Sequence, residues 1–409
     1  MVDTELEPSP PQQWRPPGAD AKRRRRQLVT VTGLILVLAL AVGGALWAKG
    51  AFWAPVRLNQ LIDTSYTVAG RAPALPWPAH GESYLYVEGV GPIGSSGPQD
   101  AEVPIASVTK TMTAYQLLRD HPLAVGADGP TIEVSAALFR ASRSSDTSES
   151  GIAIREGEQL TERQALEGML LPSAGNMARL LAAWDAGSVA AFVDRMNAEA
   201  RALGMRHTSY ADPAGIDSQS RSTASDQVTL GEHVLQDPAL AGIVDLKAAR
   251  VPVAGLVTNT NHLLGVDGDV GIKTGSTSAA GGCLLFATRN VVDGVPVTMV
   301  GAVLGQPGQP WTIMDRAQTV ARGLIEAAQH SLVATTVAHS GKAVAVLHQR
   351  GHADVSLAPG SDVTVVGWPS LDYKVGVSAD GVLRVSNTQA PETLVTAAKL
   401  AQSSADSAN

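Results

Sequence analysis

Ser107-Val108-Thr109-Lys110 stands inside Pro104-Ile105-Ala106-Ser107-Val108-Thr109-Lys110-Thr111-Met112-Thr113-Ala114-Tyr115-Gln116-Leu117-Leu118. Met112, Tyr115 and Leu118, with Ala114 and Leu117 between them, recur at a period near 3.6 and predict a helix. Ser107 then falls at or just inside its N-terminus, and Lys110, almost one turn on, shares its face. A hydroxyl beside an amine at a helix start is the geometry of a serine nucleophile with a lysine base. The helix-end N–H groups favour negative charge developing at the serine. Alone, the pattern reads better as an N-cap serine followed by a surface lysine. Two more stretches raise its weight: Pro172-Ser173-Ala174-Gly175-Asn176 and Gly271-Ile272-Lys273-Thr274-Gly275-Ser276.

The bulk numbers bound the rest. The chain has 409 residues, enough for two or three domains, and its 44% hydrophobic and 17% charged residues suit a sizeable core. A net charge of −7 argues against a nucleic-acid partner. Cys283 is the single cysteine, so no intramolecular disulfide forms. It lies in the apolar run Gly282-Cys283-Leu284-Leu285-Phe286 and reads as a small buried hydrophobe. The nine histidines show no H-E-x-x-H or paired metal-ligand spacing, and no Gly-rich phosphate loop follows a strand. No metal and no cofactor are expected. Asp212, Asp217 and Asp226 read as turn and cap residues rather than catalytic acids.

Residues 1–26 form a Pro-rich polar tail, expected to be disordered, that ends in Lys22-Arg23-Arg24-Arg25-Arg26. Leu28 to Ala48 follows with no charged residue; these 21 residues span roughly 31 Å as a helix at about 1.5 Å per residue, the thickness of a hydrocarbon core. The basic cluster on the N-terminal side places that side in the cytoplasm. The expectation is one transmembrane helix within 27–49, in a bacterial cytoplasmic membrane, with the body outside. A long cleaved signal is the rival, though no clear A-x-A site follows.

Residues 50–78, with Pro55, Pro73, Pro76 and Pro78, read as a linker. Ser83 to Val90 reads as a strand and Gly91 to Gly97 as a turn-rich return. Residues 121–160 hold the strand fragment Thr131 to Val134 and a polar loop, Ser142 to Gly151. Thr161 caps a helix over Glu162 to Leu171. Asn176 to Ala186 forms a second, and Ser188 caps a third, Val189 to Leu203, ended by Gly204. Residues 205–265 are mostly loop, with a helix near Thr229 to Gln236. Strands return at Val270 to Thr274, Gly282 to Arg289 and Val295 to Leu304, and Trp311 to Gln329 is a long amphipathic helix. This order fits an α/β body: an antiparallel sheet flanked by helices, with a helical lobe inserted. Short β-branched runs from Val333 onward, punctuated by Gly341, Pro359-Gly360 and Asp380-Gly381, predict a small all-β domain over 331–395. A disordered tail over 396–409 follows.

Read together, S-x-x-K, a serine motif and K-T-G form the set found in penicillin-binding proteins and class A β-lactamases. Within that superfamily the chain resembles the serine D-alanyl-D-alanine carboxypeptidases, the low-molecular-mass penicillin-binding proteins. The resemblance covers about 75–330. It rests on Pro104 to Tyr115, Leu170 to Ala178, Asp212 to Gly215, Ser222 to Gln227, Asn259 to Leu264 and Gly271 to Thr277. The gaps of 66 and 100 residues, Ser107 to Ser173 and Ser173 to Lys273, also match. The resemblance implies a β-lactamase-like catalytic domain over 79–330 that acts on peptidoglycan stem peptides ending in D-Ala-D-Ala and is inhibited by β-lactams. Ser107 would attack the carbonyl between the two D-alanines. Lys110 would be the base, its pKa lowered by burial and by a second cation, Lys273. Lys273, Thr274 and Gly275 would hold the terminal carboxylate, Ser173 would relay a proton to the leaving amine, and the N–H groups of Ser107 and Ser276 would form the oxyanion hole.

One position departs from the pattern. The family has S-x-N; this chain has Ser173-Ala174-Gly175, with asparagine one place late. Either Asn176 reaches the substrate through a shifted loop or that contact is lost. A catalytically weakened relative that binds peptidoglycan or a wall-synthesis partner is therefore the alternative to an active carboxypeptidase. A β-lactamase would need a second base for deacylation, and no E-x-x-L-N segment is present.

Overall fold

The structure is a computed structural model that describes residues 56–146, 149–309, 312–387 and 394–402. The basic cluster, the apolar run Leu28 to Ala48 and the last residues from 403 lie outside the described residues. Among the described residues no helix is long and apolar enough to cross a membrane.

Five strands form the central sheet: β1 (Glu82–Val87), β2 (Gly91–Ser96), β3 (Asp269–Thr277), β4 (Gly281–Val292) and β5 (Val295–Gln306). Their order is β3-β4-β5-β1-β2, with every neighbour antiparallel. The continuous apolar run in β4 exists because both faces of that strand are covered. Cys283, Leu285 and Ala287 point into one core, and Leu284 and Phe286 into the other.

The principal helices are α1 (Lys110–Asp120), α2 (Glu162–Leu170), α3 (Gly175–Ala186), α4 (Val189–Ala202), α5 (Ala224–Gln236) and α6 (Ile313–Ser331), of which α5 and α6 cover the two faces of the sheet. Val228, Leu230 and Val234 of α5 share a core with Leu285 and Val300. Ala317, Leu324 and Ile325 of α6 close over Leu284 and Phe286 on the opposite face. Helices α2 to α4 make the inserted lobe. Thr161 starts it with a reciprocal capping box: Gln164 N–H donates to Thr161 Oγ1 at 3.2 Å, and Thr161 N–H donates to Gln164 Oε1 at 3.0 Å. Ser188 caps α4 by accepting from Ala191 N–H at 3.2 Å.

Four segments differ from the sequence reading. Gly91 to Gly97 is strand β2, not a turn-rich return; its glycines disguise it, and a bulge opposite Leu85 and Tyr86 bends it along the sheet edge. The expected linker over 50–78 contains Arg57–Gln60 and Ser65–Thr67, which are strands. They pair with Ala345–His348 and Asp372–Ser378 and form the two edges of a seven-stranded sheet. Periodicity does not show on segments this short, and their partners lie about 300 residues away along the sequence. The expected disordered tail from 396 begins inside the strand Leu394–Gln402, which pairs with Val382–Asn387 and Val355–Pro359. A short helix, Ala136–Ser142, capped by Ser135, leads into the polar loop. The remaining strands from Val333–Ala338 onward follow the predicted short β pattern. Tyr373, Val365 and Leu383 join the core beneath α6.

Candidate active site

Ser107 sits on one 3-10 turn, Ala106–Thr109, that runs directly into α1. Ala106 before it takes a left-handed φ of 48°. Strain of this kind persists only where surrounding structure imposes it. Lys110, the first residue of α1, is completely buried. Its Nζ donates to Ser107 Oγ at 2.8 Å and to the Ala214 carbonyl at 2.6 Å. The serine oxygen and its prospective base are therefore already in contact. Burial is the main cause that pulls Lys110 from 10.5 down to about 8, with Glu149 and Asp212 opposing it and Arg179 assisting.

The sequence reading assigned the assisting cation to Lys273. In the structure that role falls to Arg179, and the repulsion between the two lysines weakens Lys273 instead. Lys273 is 2% exposed, and burial first, then Lys110, holds its ammonium well below the ordinary lysine range. Asp212 is a turn residue, as expected. Its Oδ1 accepts from Ala214 and Gly215 N–H, both at 2.6 Å, and its Oδ2 from Asp217 N–H at 2.7 Å. That turn aims the Ala214 carbonyl at Lys110. A backbone carbonyl leaves no mark in a sequence, so this partner was not foreseen.

Strand β3 is the sheet edge against the serine turn. Lys273 Nζ donates to Thr274 O at 2.9 Å and approaches its Oγ1 at 3.4 Å. Thr274 Oγ1 lies 2.5 Å from Thr260 Oγ1, which ties the strand to the Asn259 to Leu264 loop. Gly275 has a clear steric reason. A Cβ there would stand 3.0 Å from each of Ile105 O, Ser107 N and Val108 N, all of them backbone atoms. Glycine lets the edge strand lie against the start of the serine turn, with Ser276 next along it.

The serine motif is only partly as expected. Ser173 lies in the turn between α2 and α3, nearly buried, with a left-handed φ of 63°. Asn176 does not take the place of the family asparagine. Its Nδ2 donates to Ile152 O at 2.7 Å, and its Oδ1 accepts from Ile152 N–H at 3.2 Å and Met177 N–H at 3.0 Å. One residue along a helix turns a side chain by about 100°, which aims Asn176 at the Ile152 loop. The side-chain amide that was expected to meet substrate is thus engaged with the Ile152 backbone. Sequence reading also missed Glu149 and Arg179, which belong to a polar loop and to the surface of α3. No periodicity or motif points to them.

A nucleophilic serine held by a buried, weakly basic lysine, at the seam between a sheet edge and a helical lobe, defines a serine acyl-transfer enzyme of the penicillin-binding class. The chain belongs to the D-alanyl-D-alanine carboxypeptidase family, whose model matches residues 78–307, and is a serine D,D-peptidase. It is 35% identical over 232 residues to a D-alanyl-D-alanine endopeptidase of Pseudomonas aeruginosa, covering 54% of this chain and 70% of that one. A D-alanyl-D-alanine carboxypeptidase of Bacillus subtilis is 27% identical, with 45% of this chain and 47% of that one aligned. Among solved structures, a D-alanyl-D-alanine carboxypeptidase of Mycobacterium tuberculosis superposes with a TM-score of 0.52 at 26% identity, covering 62% of this chain and 95% of that one. Penicillin-binding protein 6B of Escherichia coli, at 20% identity and a TM-score of 0.61, covers 81% of this chain and 98% of its own and shares the fold.

Proposed function

We propose that the enzyme removes the terminal D-alanine from peptidoglycan stem peptides. The observation that carries this is the 2.8 Å contact between Lys110 Nζ and Ser107 Oγ within a fully buried lysine site. Neutral Lys110 takes the Ser107 proton as Oγ bonds to the penultimate D-alanine carbonyl carbon. The N–H groups of Ser107 and Ser276 receive the oxyanion. The C–N bond then breaks, Ser173 relays the proton to the departing D-alanine amine, and water hydrolyses the ester. Lys273, with Thr274 and Gly275, receives the terminal carboxylate. On binding, that carboxylate places an opposite charge beside Lys273 and raises its proton affinity. A β-lactam follows the same first step and stays as a long-lived acyl-enzyme.

The catalytic domain, 79–330, is read as standing outside a bacterial cytoplasmic membrane, anchored by residues 28–48, with a small C-terminal β domain. Sedimentation of full-length protein with alkali-washed membranes, lost on deletion of residues 1–50, is the expected result. The catalytic test is labelling by a fluorescent penicillin together with D-alanine release from a D-Ala-D-Ala peptide, wild type beside Ser107→Ala. Both signals should vanish in the mutant. A folded Ser107→Ala that still releases D-alanine refutes the reading. The endopeptidase relative gives a second reading, cleavage of a D,D cross-link. Faster turnover of cross-linked than of linear peptide would favour it.

A further inference from the structure

Gly175 is the first residue of α3 and has an ordinary right-handed backbone. Conformation does not call for glycine there, and glycine is a weaker helix former than alanine. Space does call for it. A Cβ at 175 would stand 1.5 Å from Glu149 Oε1, 2.4 Å from its Cδ and 2.9 Å from its Cγ. The carboxylate of Glu149 thus occupies the volume into which any side chain at 175 would project.

Glu149 is held firmly in that place. Arg179 Nη1 and Nη2 donate to its two oxygens, both at 2.7 Å, and the Glu149 side chain is 5% exposed. Arg179 Nε and Nη2 also donate to Ser142 O, at 3.1 and 3.0 Å. Gly175 N–H donates to Ser150 O at 2.8 Å and pins the loop to the start of α3. A bidentate arginine clamp of this kind fixes a carboxylate in one orientation. The loop was a featureless polar stretch in the sequence.

We propose that Glu149, clamped by Arg179, is a positioning residue of this active site: its carboxylate replaces the missing side chain at 175, and Gly175 is present to admit it. The inference rests on the acyl-transfer reading of Ser107 and Lys110. Glu149 acts through Lys110, whose charged surroundings are Glu149 and Asp212 on one side of the balance and Arg179 on the other. A carboxylate accepts hydrogen bonds but donates none. Its negative charge raises the proton affinity of Lys110, as an asparagine would not.

The test is a set of five full-length proteins: wild type, Glu149→Gln, Glu149→Ala, Gly175→Asn and the double variant Gly175→Asn/Glu149→Ala. Second-order acylation by a fluorescent penicillin is measured from pH 6 to 10, with thermal unfolding alongside. Gly175→Asn should slow acylation at least ~10-fold by forcing Glu149 out, since displacements near 1 Å carry such penalties. The double variant should recover a large part of that loss and of the lost unfolding temperature. Glu149→Gln keeps size and fold but removes charge, so the alkaline-rising limb of its rate should move to lower pH. Acylation and a pH limb unchanged in Glu149→Gln would overturn the inference. A double variant no better than Gly175→Asn would overturn it as well. Failure of the wild type to label at Ser107 would instead overturn the acyl-transfer reading, while coupling between 149 and 175 in unfolding temperature would still report the shared space.

Discussion

Replacing Lys110 by methionine should abolish acylation and yet stabilise the protein at neutral pH. Lys110 is buried, and its folded value of about 8 lies below the 10.5 it has in the unfolded chain. At about 1.4 kcal/mol per unit, that difference costs the folded state about 3 kcal/mol wherever the unfolded lysine is protonated and the folded one must be too. Methionine removes this cost with a side chain of similar length. It also removes the bonds to Ser107 Oγ and Ala214 O, worth about 1 kcal/mol each. The net gain below pH 8 is about 1 kcal/mol, or about 2 °C in unfolding temperature for a protein of this size. The sign with pH follows. Between about 8 and 10.5 the unfolded wild type holds a proton that the folded one has released, so wild-type stability rises with pH and the variant's advantage shrinks. Denaturant melts at pH 7 and 9.5, read beside penicillin labelling, measure both effects. A variant less stable than wild type by more than about 1 kcal/mol at pH 7, or a difference that does not change with pH, would refute the account of Lys110 as a desolvated base.

Acylation of the wild type should rise with pH along a limb centred near 8. That is about a tenfold gain from pH 7 to 9 as the neutral fraction of Lys110 grows, and stopped-flow quenching by penicillin follows it; a flat profile over that range would contradict it. Gly275→Ala places a Cβ 3.0 Å from three backbone atoms of the serine turn and should slow acylation by roughly 10- to 100-fold. An acylation rate within twofold of wild type would show that the strand and turn are not held together this tightly. Glu162 is fully buried with neither carboxylate oxygen hydrogen-bonded, and burial raises it from 4.5 to about 7. Its folded form therefore keeps a proton that the unfolded form loses across that window, so stability falls as pH rises from about 4.5 to 7. Glu162→Gln should be more stable than wild type by about 1–2 kcal/mol at pH 8 and equal to it near pH 4; a constant difference across pH would rule out titration as the cause.

Much of the fold was legible because its elements carry strong local signals. Thr161 and Ser188 start helices with capping chemistry that reads directly from sequence, and Gly204 ends one at a left-handed φ of 78°. Strands β4 and β5 announce themselves as long apolar runs because both faces are buried. The glycine-rich β2 and the short strands at 57–60 and 65–67 carry no such pattern. Their pairing energy comes from partners remote in the chain, which no window along the sequence can include. The site divides in the same way. The contact between Ser107 and Lys110 was legible because a spacing of three residues on a helix is a local property, whereas Lys273 was reached through the family motif set. Arg179 acting on Lys110, Asp212 shaping the Ala214 turn, and Thr260 against Thr274 arise only when separate loops converge.

By itself, the sequence determined the chemical composition of the site: a serine one helical turn before a lysine, and a lysine-threonine-glycine segment later in the chain. Spacing brings the first pair together, because serine and lysine lie within one turn of the same segment; the later segment joins them through the family resemblance. Tertiary structure alone decided how the site is electrostatically set and what fills the gap at Gly175. Burial of Lys110 depends on the sheet, the helical lobe and the Asp212 turn closing around it. The volume beside Gly175 is filled by Glu149, 26 residues earlier in the chain, and not by Asn176 next door. Neighbours in sequence point to different sides of a helix, whereas a folded loop can bring a distant carboxylate to the same point.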